Sequence, residues 1–210
     1  MIGRVVFLAL CAATMGCATD KPHLGTEAGV ETAALWRSVA TQDDQRRLRG
    51  WRDAWITALD QARANGHGNE IAAEGVLLDP DGALPFSDIP QGIYRCRTVK
   101  IGSQAHGALA YIAYPFFRCR IAQGENGLRF SKLSGSQRPI GILYADGGSR
   151  RVFLGTLQLG DEQRAFRYGD DRERDMAGVL ERIGDNRWRL ALPYPHFESM
   201  MDVIELLPGE

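Results

Sequence analysis

Gly92-Ile-Tyr-Arg-Cys-Arg-Thr-Val-Lys100 and Phe116-Phe-Arg-Cys-Arg-Ile121 decide how this chain is read. Both contain the tripeptide Arg-Cys-Arg, at 95–97 and again at 118–120. Successive side chains of a strand point to opposite faces. Tyr94, Cys96 and Thr98 therefore share one face and Arg95, Arg97 and Val99 the other; Phe117, Cys119 and Ile121 likewise oppose Phe116, Arg118 and Arg120. Both cysteines read as inward and both arginine pairs as outward. If the intervening segment loops out and the two strands pair antiparallel, the sulfurs meet. If that segment forms a strand between them, the cysteines stand two strands apart, beyond the Cα separation of about 7 Å that a bridge tolerates.

The start of the chain bears on that choice. Arg4 precedes an almost wholly apolar run at 5–15, followed by Gly16-Cys17-Ala18, the pattern of a signal peptide over residues 1–16. The run is too short for a membrane-spanning helix, which takes about 20 residues. Thr14-Met-Gly-Cys17 resembles a bacterial lipobox, whose cysteine is diacylated and becomes the first mature residue, although Thr14 stands where leucine is usual. Cleavage after Ala18 is the competing reading and gives a free periplasmic protein. By resemblance to Gram-negative lipoproteins, Ala18 after the cysteine directs the chain to the outer membrane, so the expectation is an exported, periplasmic protein anchored by lipid on Cys17. In an oxidising compartment Cys96 and Cys119 are expected to form a disulfide; two buried free thiols are the plainer alternative.

Residues 17–40, with Pro22, Gly25 and Gly29, read as a flexible tether. A single folded domain is expected over 41–208, with a helical part at 41–76 and a barrel-like part at 92–208. Thr41 and Asp44 make a helix-capping pair, Leu48, Trp51, Trp55, Ala58, Leu59 and Ala62 form one stripe, and Asn65-Gly66 ends it. Strands are expected near 93–100, 110–114, 116–123, 128–133, 141–144, 152–159, 176–183, 188–192 and 203–207, separated by turn residues such as Gly124-Glu-Asn-Gly127 and Asp146-Gly-Gly148. Short links make neighbours antiparallel, and so many strands must curl or close to remove their edges. The fold class is α+β: an antiparallel β-barrel or strongly curved meander sheet, lipocalin-like in general shape, preceded by an α-helical segment.

Charge is unevenly spread. Between 92 and 160 ten Lys and Arg face two acids, whereas 17–91 and 161–210 each hold seven basic and twelve acidic residues. The basic middle suits an anionic partner unless the acidic flanks fold against it. No hydrolase motif, zinc-ligand spacing or nucleic-acid-recognition motif is present, so catalysis, cofactors, metals and nucleic acid are not expected. Arg138 shares parity with Ile140, Ile142 and Tyr144 and so reads as an arginine inside a barrel, where it needs an acid or an anionic ligand. Gln137, Tyr94, Tyr144 and Trp188 are the groups expected beside it.

Gly92-Ile-Tyr-Arg-Cys-Arg-Thr-Val-Lys100, Phe117-Arg-Cys-Arg120, Gly135-Ser-Gln-Arg-Pro-Ile-Gly141, Val152-Phe-Leu-Gly-Thr156, Trp188-Arg-Leu190 and Pro193-Tyr-Pro195 together give the chain a resemblance to an uncharacterised exported bacterial family, domain of unknown function 4893. The similarity runs from about Trp51 to Pro208. It implies an envelope location and carries over no catalytic or binding residue. The functional expectation is a monomeric, non-catalytic barrel holding a small anionic or amphipathic ligand; the alternative is a protein-interaction module, such as an inhibitor of an envelope enzyme.

Overall fold

The computed structural model describes residues 35–85, 88–105 and 107–209, with Gly3; Cys17 and, but for Gly3, the expected signal peptide lie outside them. Residues 35–39 are helical, and Trp36 and Ala40 are buried. The Thr41 hydroxyl then accepts the Asp44 N–H at 3.2 Å and caps α1 (Gln42–Arg49), which has two aspartates in its first turn and three arginines in its last, the order the helix dipole favours. Gly50 ends α1 and precedes α2 (Trp51–Ala64), so the apolar stripe expected of one helix is divided between two. A short α3 (Gly68–Glu74) and a 3-10 turn (Gly75–Leu77) complete the helical part.

Nine strands follow: β1 (Gly92–Ser103), β2 (Tyr111–Ala113), β3 (Phe117–Gly124), β4 (Gly127–Lys132), β5 (Gln137–Asp146), β6 (Arg150–Leu159), β7 (Asp175–Gly184), β8 (Arg187–Pro193) and β9 (Ser199–Pro208). From β3 to β9 each pairs with the next, and β9 returns to β1 along nearly its whole length, from Tyr94↔Pro208 to Ser103↔Ser199. The result is a closed eight-strand antiparallel barrel with β2 as an extra piece.

That extra piece settles the question of the cysteines. β2 pairs with β1 at Val99↔Ala113, and β3 pairs with the same edge of β1 at Cys96↔Phe117. Three steps along β1 thus match four along the partner, a bulge at Tyr114-Pro115-Phe116 where proline has no N–H to give the ladder. β2 and β3 are one bulged strand. The intervening segment does form a strand, but in line with β3, and Cys96 and Cys119 face each other diagonally across neighbours, bridged with a Cα separation of 5.9 Å.

The barrel interior is filled by alternate residues of all eight strands, among them Tyr94, Cys96, Ile121, Phe130, Leu143, Phe153, Leu180, Trp188 and Leu206. Gly141 and Gly155 pair across β5 and β6, and a methyl group on Gly141 would stand 2.6 Å from the Phe153 ring and 2.3 Å from the Leu154 carbonyl. The wall is therefore glycine because Phe153 lies against it. This sets the phase of β5 and corrects the reading of Arg138. Pro139, Gly141 and Leu143 face inward, while Arg138, Ile140, Ile142 and Tyr144 face outward. Arg138 donates to the carbonyls of Leu159 and Glu162 at 2.7 and 3.0 Å.

The helices pack on the outer wall. Ala54, Trp55, Ala58, Leu59 and Ala62 of α2 cover Val99 and Ile101 of β1, Ala191 of β8, and Met201 and Val203 of β9. The small residues bring α2 close enough that a methyl on Gly102 would lie 2.9 Å from the Ala58 Cα. Trp36, Ala40 and Leu48 cover Val152, Leu154, Ala177 and Val179 of β6 and β7. Arg189 of β8, 0% exposed, fastens the helical part to the wall: it pairs with Glu181 at 2.9 Å, donates to the carbonyls of Val76 and Leu77, and stands 4.6 Å from the Trp55 ring centre. So large a buried cation is tolerated because its donors find acceptors.

The cysteine bridge spans 23 positions of sequence, and constraint of the unfolded chain by a loop of that size contributes roughly 3 kcal/mol. The double substitution Cys96→Ser, Cys119→Ser is expected to lower the free energy of unfolding by about that amount in urea titration, and reductant should do the same to the wild type. An unchanged midpoint in both would refute this assignment of stability to the bridge.

Candidate functional site

Turns at one end of the barrel join β4 to β5 and β8 to β9, and there the interior opens into a cavity of about 190 Å³. Its apolar wall is Phe117, Pro139, Leu157, Met176 and Ile204; its polar lining includes Lys100, Lys132, Ser136, Gln137, Glu198 and Asp202. The opposite end is closed by Tyr94 and Trp188, packed edge to face at 6.0 Å.

Strand alternation puts the charges there. Lys100 continues the inward face of Tyr94, Cys96 and Thr98; Lys132 follows Phe130 on β4; Asp202 precedes Ile204 on β9. All three are buried. Lys100 is well provided, donating to Gln137 Oε1 at 2.9 Å and Glu198 Oε2 at 2.8 Å, with Asp202 at 3.9 Å. Burial pulls its pKa down, but Asp202 and Glu198 outweigh burial and the net shift is upward. Asp202 is pushed up by burial against the pull of Lys100 and of the Ser199 hydroxyl, which donates to it.

Lys132 differs. Only 6% exposed, it donates to the Gln137 carbonyl at 2.9 Å and stands 4.1 Å from the Phe117 ring centre. It forms no ion pair with a carboxylate among the described residues. Burial, reinforced by Lys100 and Arg138 and opposed by Asp202, pushes it down to about 8. A buried ammonium whose acceptors are one carbonyl and one ring is short of an anion.

The cavity's upper wall is a loop under backbone constraint. Tyr194 and Glu198, with φ of 44° and 68°, are the positive-φ non-glycine residues among those described. Both belong to the link between β8 and β9, which supplies Pro195, Phe197 and Glu198 to the lining. Left-handed backbone at such residues persists only where surroundings hold it. Here Gln104 Nε2 donates to the carbonyls of Pro195 and Ser199 at 2.6 and 2.7 Å, and the Gln104 N–H to that of Glu198 at 2.9 Å.

Of the residues that sequence parity grouped together, Gln137 alone lines the cavity. Arg138 and Tyr144 lie on the outer face, Tyr144 against the Trp36 cluster. Tyr94 and Trp188 are core residues at the closed end, the Tyr94 hydroxyl donating to the Pro90 carbonyl at 2.7 Å. Lys100 and Lys132 were missed as a site. The signal was present, since each shares parity with large inward residues of its own strand. Among the described residues no His, Cys, Asp and Glu cluster of three or more is placed to hold a metal, and no helix is long and apolar enough to cross a membrane.

The sequence model of a family described as Domain of unknown function (DUF4893) matches residues 36–206, which takes in the barrel, the helices and every residue of the cavity. No curated protein and no solved structure matches the chain.

The depressed Lys132 carries a pH signature. Its charged form is disfavoured in the folded state, so the folded protein gives up this proton near pH 8 whereas the unfolded chain holds it until about 10.5. Stability rises with pH wherever the unfolded state binds more protons. Lys132→Met, which keeps length and removes charge, is therefore expected to be the more stable protein at pH 7 by roughly 1–3 kcal/mol. That advantage should shrink as pH rises from 8 to 10.5, as followed by urea titration at each pH. A constant difference across the window would show that Lys132 titrates normally.

Proposed function

The chain belongs to that family, and we propose that its barrel is a non-catalytic binding module for a small organic anion, a short-chain carboxylate or an equally compact phosphate-bearing molecule. One observation carries the reading: Lys132 is a buried ammonium that forms no ion pair with a carboxylate among the described residues, on the wall of a cavity. An anion there restores what burial removes, and its charge-assisted bonds to Lys132, with Gln137 and Ser136 alongside, fix its orientation. Phe117, Pro139, Leu157, Met176 and Ile204 receive a short apolar portion. Pockets for drug-sized ligands run to about 300–1,000 Å³, so 190 Å³ suits a molecule of a handful of heavy atoms. The braced loop at 194–198 preorganises the mouth and reduces the ordering cost of binding.

The same reading places the protein in the cell envelope, exported and held at the outer membrane by lipid on Cys17. The disulfide supports an oxidising compartment, and the apolar run at 5–15 before Gly16-Cys17 supports export.

Calorimetric titration with a series of short monocarboxylates and the corresponding uncharged amides tests the ligand class. Carboxylates are expected to bind and amides not, with affinity falling above pH 8 as Lys132 loses its proton. Lys132→Met should weaken carboxylate binding about 10- to 100-fold, the worth of a hydrogen bond to a charged group. Equal binding of acid and amide, or an unaffected Lys132→Met, would defeat the proposal.

A further inference from the structure

The outer wall over β3 and β4 holds a second, unrelated feature. The helices pack on β1 and on β6 to β9, and Arg118, Arg120 and Arg129 stand exposed beside Arg95 of β1. Several other surface arginines are matched with acids: Arg52 with Asp81, Arg63 with Asp60, Arg151 with Asp88, Arg174 with Glu162. Arg95, Arg118, Arg120 and Arg129 form no ion pair with a carboxylate among the described residues. Arg95 and Arg118 are direct cross-strand partners, an arrangement of like charges that costs stability. Among the described residues their aromatic partner is Phe116, itself 42% exposed, with Arg95 at 4.6 Å from its ring centre. Four unmatched arginines thus cluster on three neighbouring strands of one wall.

We propose that the arginine face of β1, β3 and β4 docks on an anionic phospholipid surface. Strand spacing of about 4.8 Å and a repeat of about 6.8 Å along each strand spread the four guanidiniums over the convex wall, with no concavity to enclose a peptide. Guanidinium binds phosphate oxygens in pairs. Half-exposed Ile142, the partner of Arg129 across β4 and β5, and exposed Phe116 supply the apolar and aromatic residues that sit at a headgroup boundary. The chain enters its described body near the same end of the barrel: Trp36 Nε1 donates to Asp146, on the turn that ends β5, at 2.9 Å. The apolar run at 5–15 lies upstream of that point.

The test is co-sedimentation of the full chain with vesicles of phosphatidylcholine alone and of phosphatidylcholine mixed with phosphatidylglycerol, at low and high salt. Neutral vesicles report binding that does not depend on anionic headgroups; the excess on anionic vesicles reports the arginine face. That excess is expected to be lost at high salt and to fall about fivefold for each arginine removed, measured on Arg95→Gln, Arg118→Gln, Arg120→Gln and Arg129→Gln singly and together. Arg63→Gln, an exposed arginine of α2, should retain it, and unchanged thermal unfolding shows that the variants are folded. Equal binding to both vesicle types, or an anionic excess that survives the fourfold substitution or is lost equally in Arg63→Gln, would overturn the proposal. The first of these results would leave an acidic protein surface as the occupant.

Discussion

Ring closure between β1 and β9 is the constraint from which the remaining structure follows. Antiparallel pairing from Tyr94↔Pro208 to Ser103↔Ser199 leaves the eight-strand ring without a free edge. In so small a ring the inward side chains of opposite walls must share one volume. That is why Gly141 and Gly155 yield space to Phe153, and why Phe130 meets Phe153 edge to face at 5.9 Å. It is also why the outer wall, rather than a second sheet, receives the helices. The alanines of α2 and the Arg189 fastening answer the need to cover apolar residues of β1, β8 and β9 that point away from the ring.

The expectations drawn from sequence divide along a physical line. Strand number, antiparallel pairing and the inward cysteines were legible because alternation and turn residues are local properties. The lipocalin-like barrel preceded by helices is what the coordinates show. The phase of β5 was not legible. Parity counted Ile140, Ile142 and Tyr144 as the buried set, since glycine at 141 carries no hydropathy signal, and only the Phe153 ring across the wall reveals that Gly141 is interior. Arg138 was misplaced with them. The helix break at Gly50 was hidden because the apolar stripe continues in register through it.

Lys132 illustrates a different blind spot. In a basic stretch a lysine reads as one more surface charge, and nothing within its strand distinguishes Lys132 from Arg129 except parity with Phe130. Burial converts that parity into chemistry: one cation loses its proton near pH 8 while the other remains among solvated arginines. The sum of charge over 92–160 thus conceals two populations with opposite surroundings, a pair of lysines sealed inside the ring and a group of arginines displayed on its outer surface.

The filled end of the barrel has a kinetic consequence. Tyr94 and Trp188 fill the interior below, and the disulfide between Cys96 and Cys119 ties neighbouring β1 and β3 together beside them. Among the described residues a cavity with a solid floor has a single doorway, so the ligand proposed for it would leave by the route it entered and could not be pushed out from behind by a newcomer. Exchange then proceeds by departure before replacement, at a pace governed by the rim, where the link carrying Tyr194 and Glu198 is held in its unusual backbone shape by Gln104. For the proposed ligand, residence time and affinity would be separately adjustable, one through the rim and the other through the lysines beneath it.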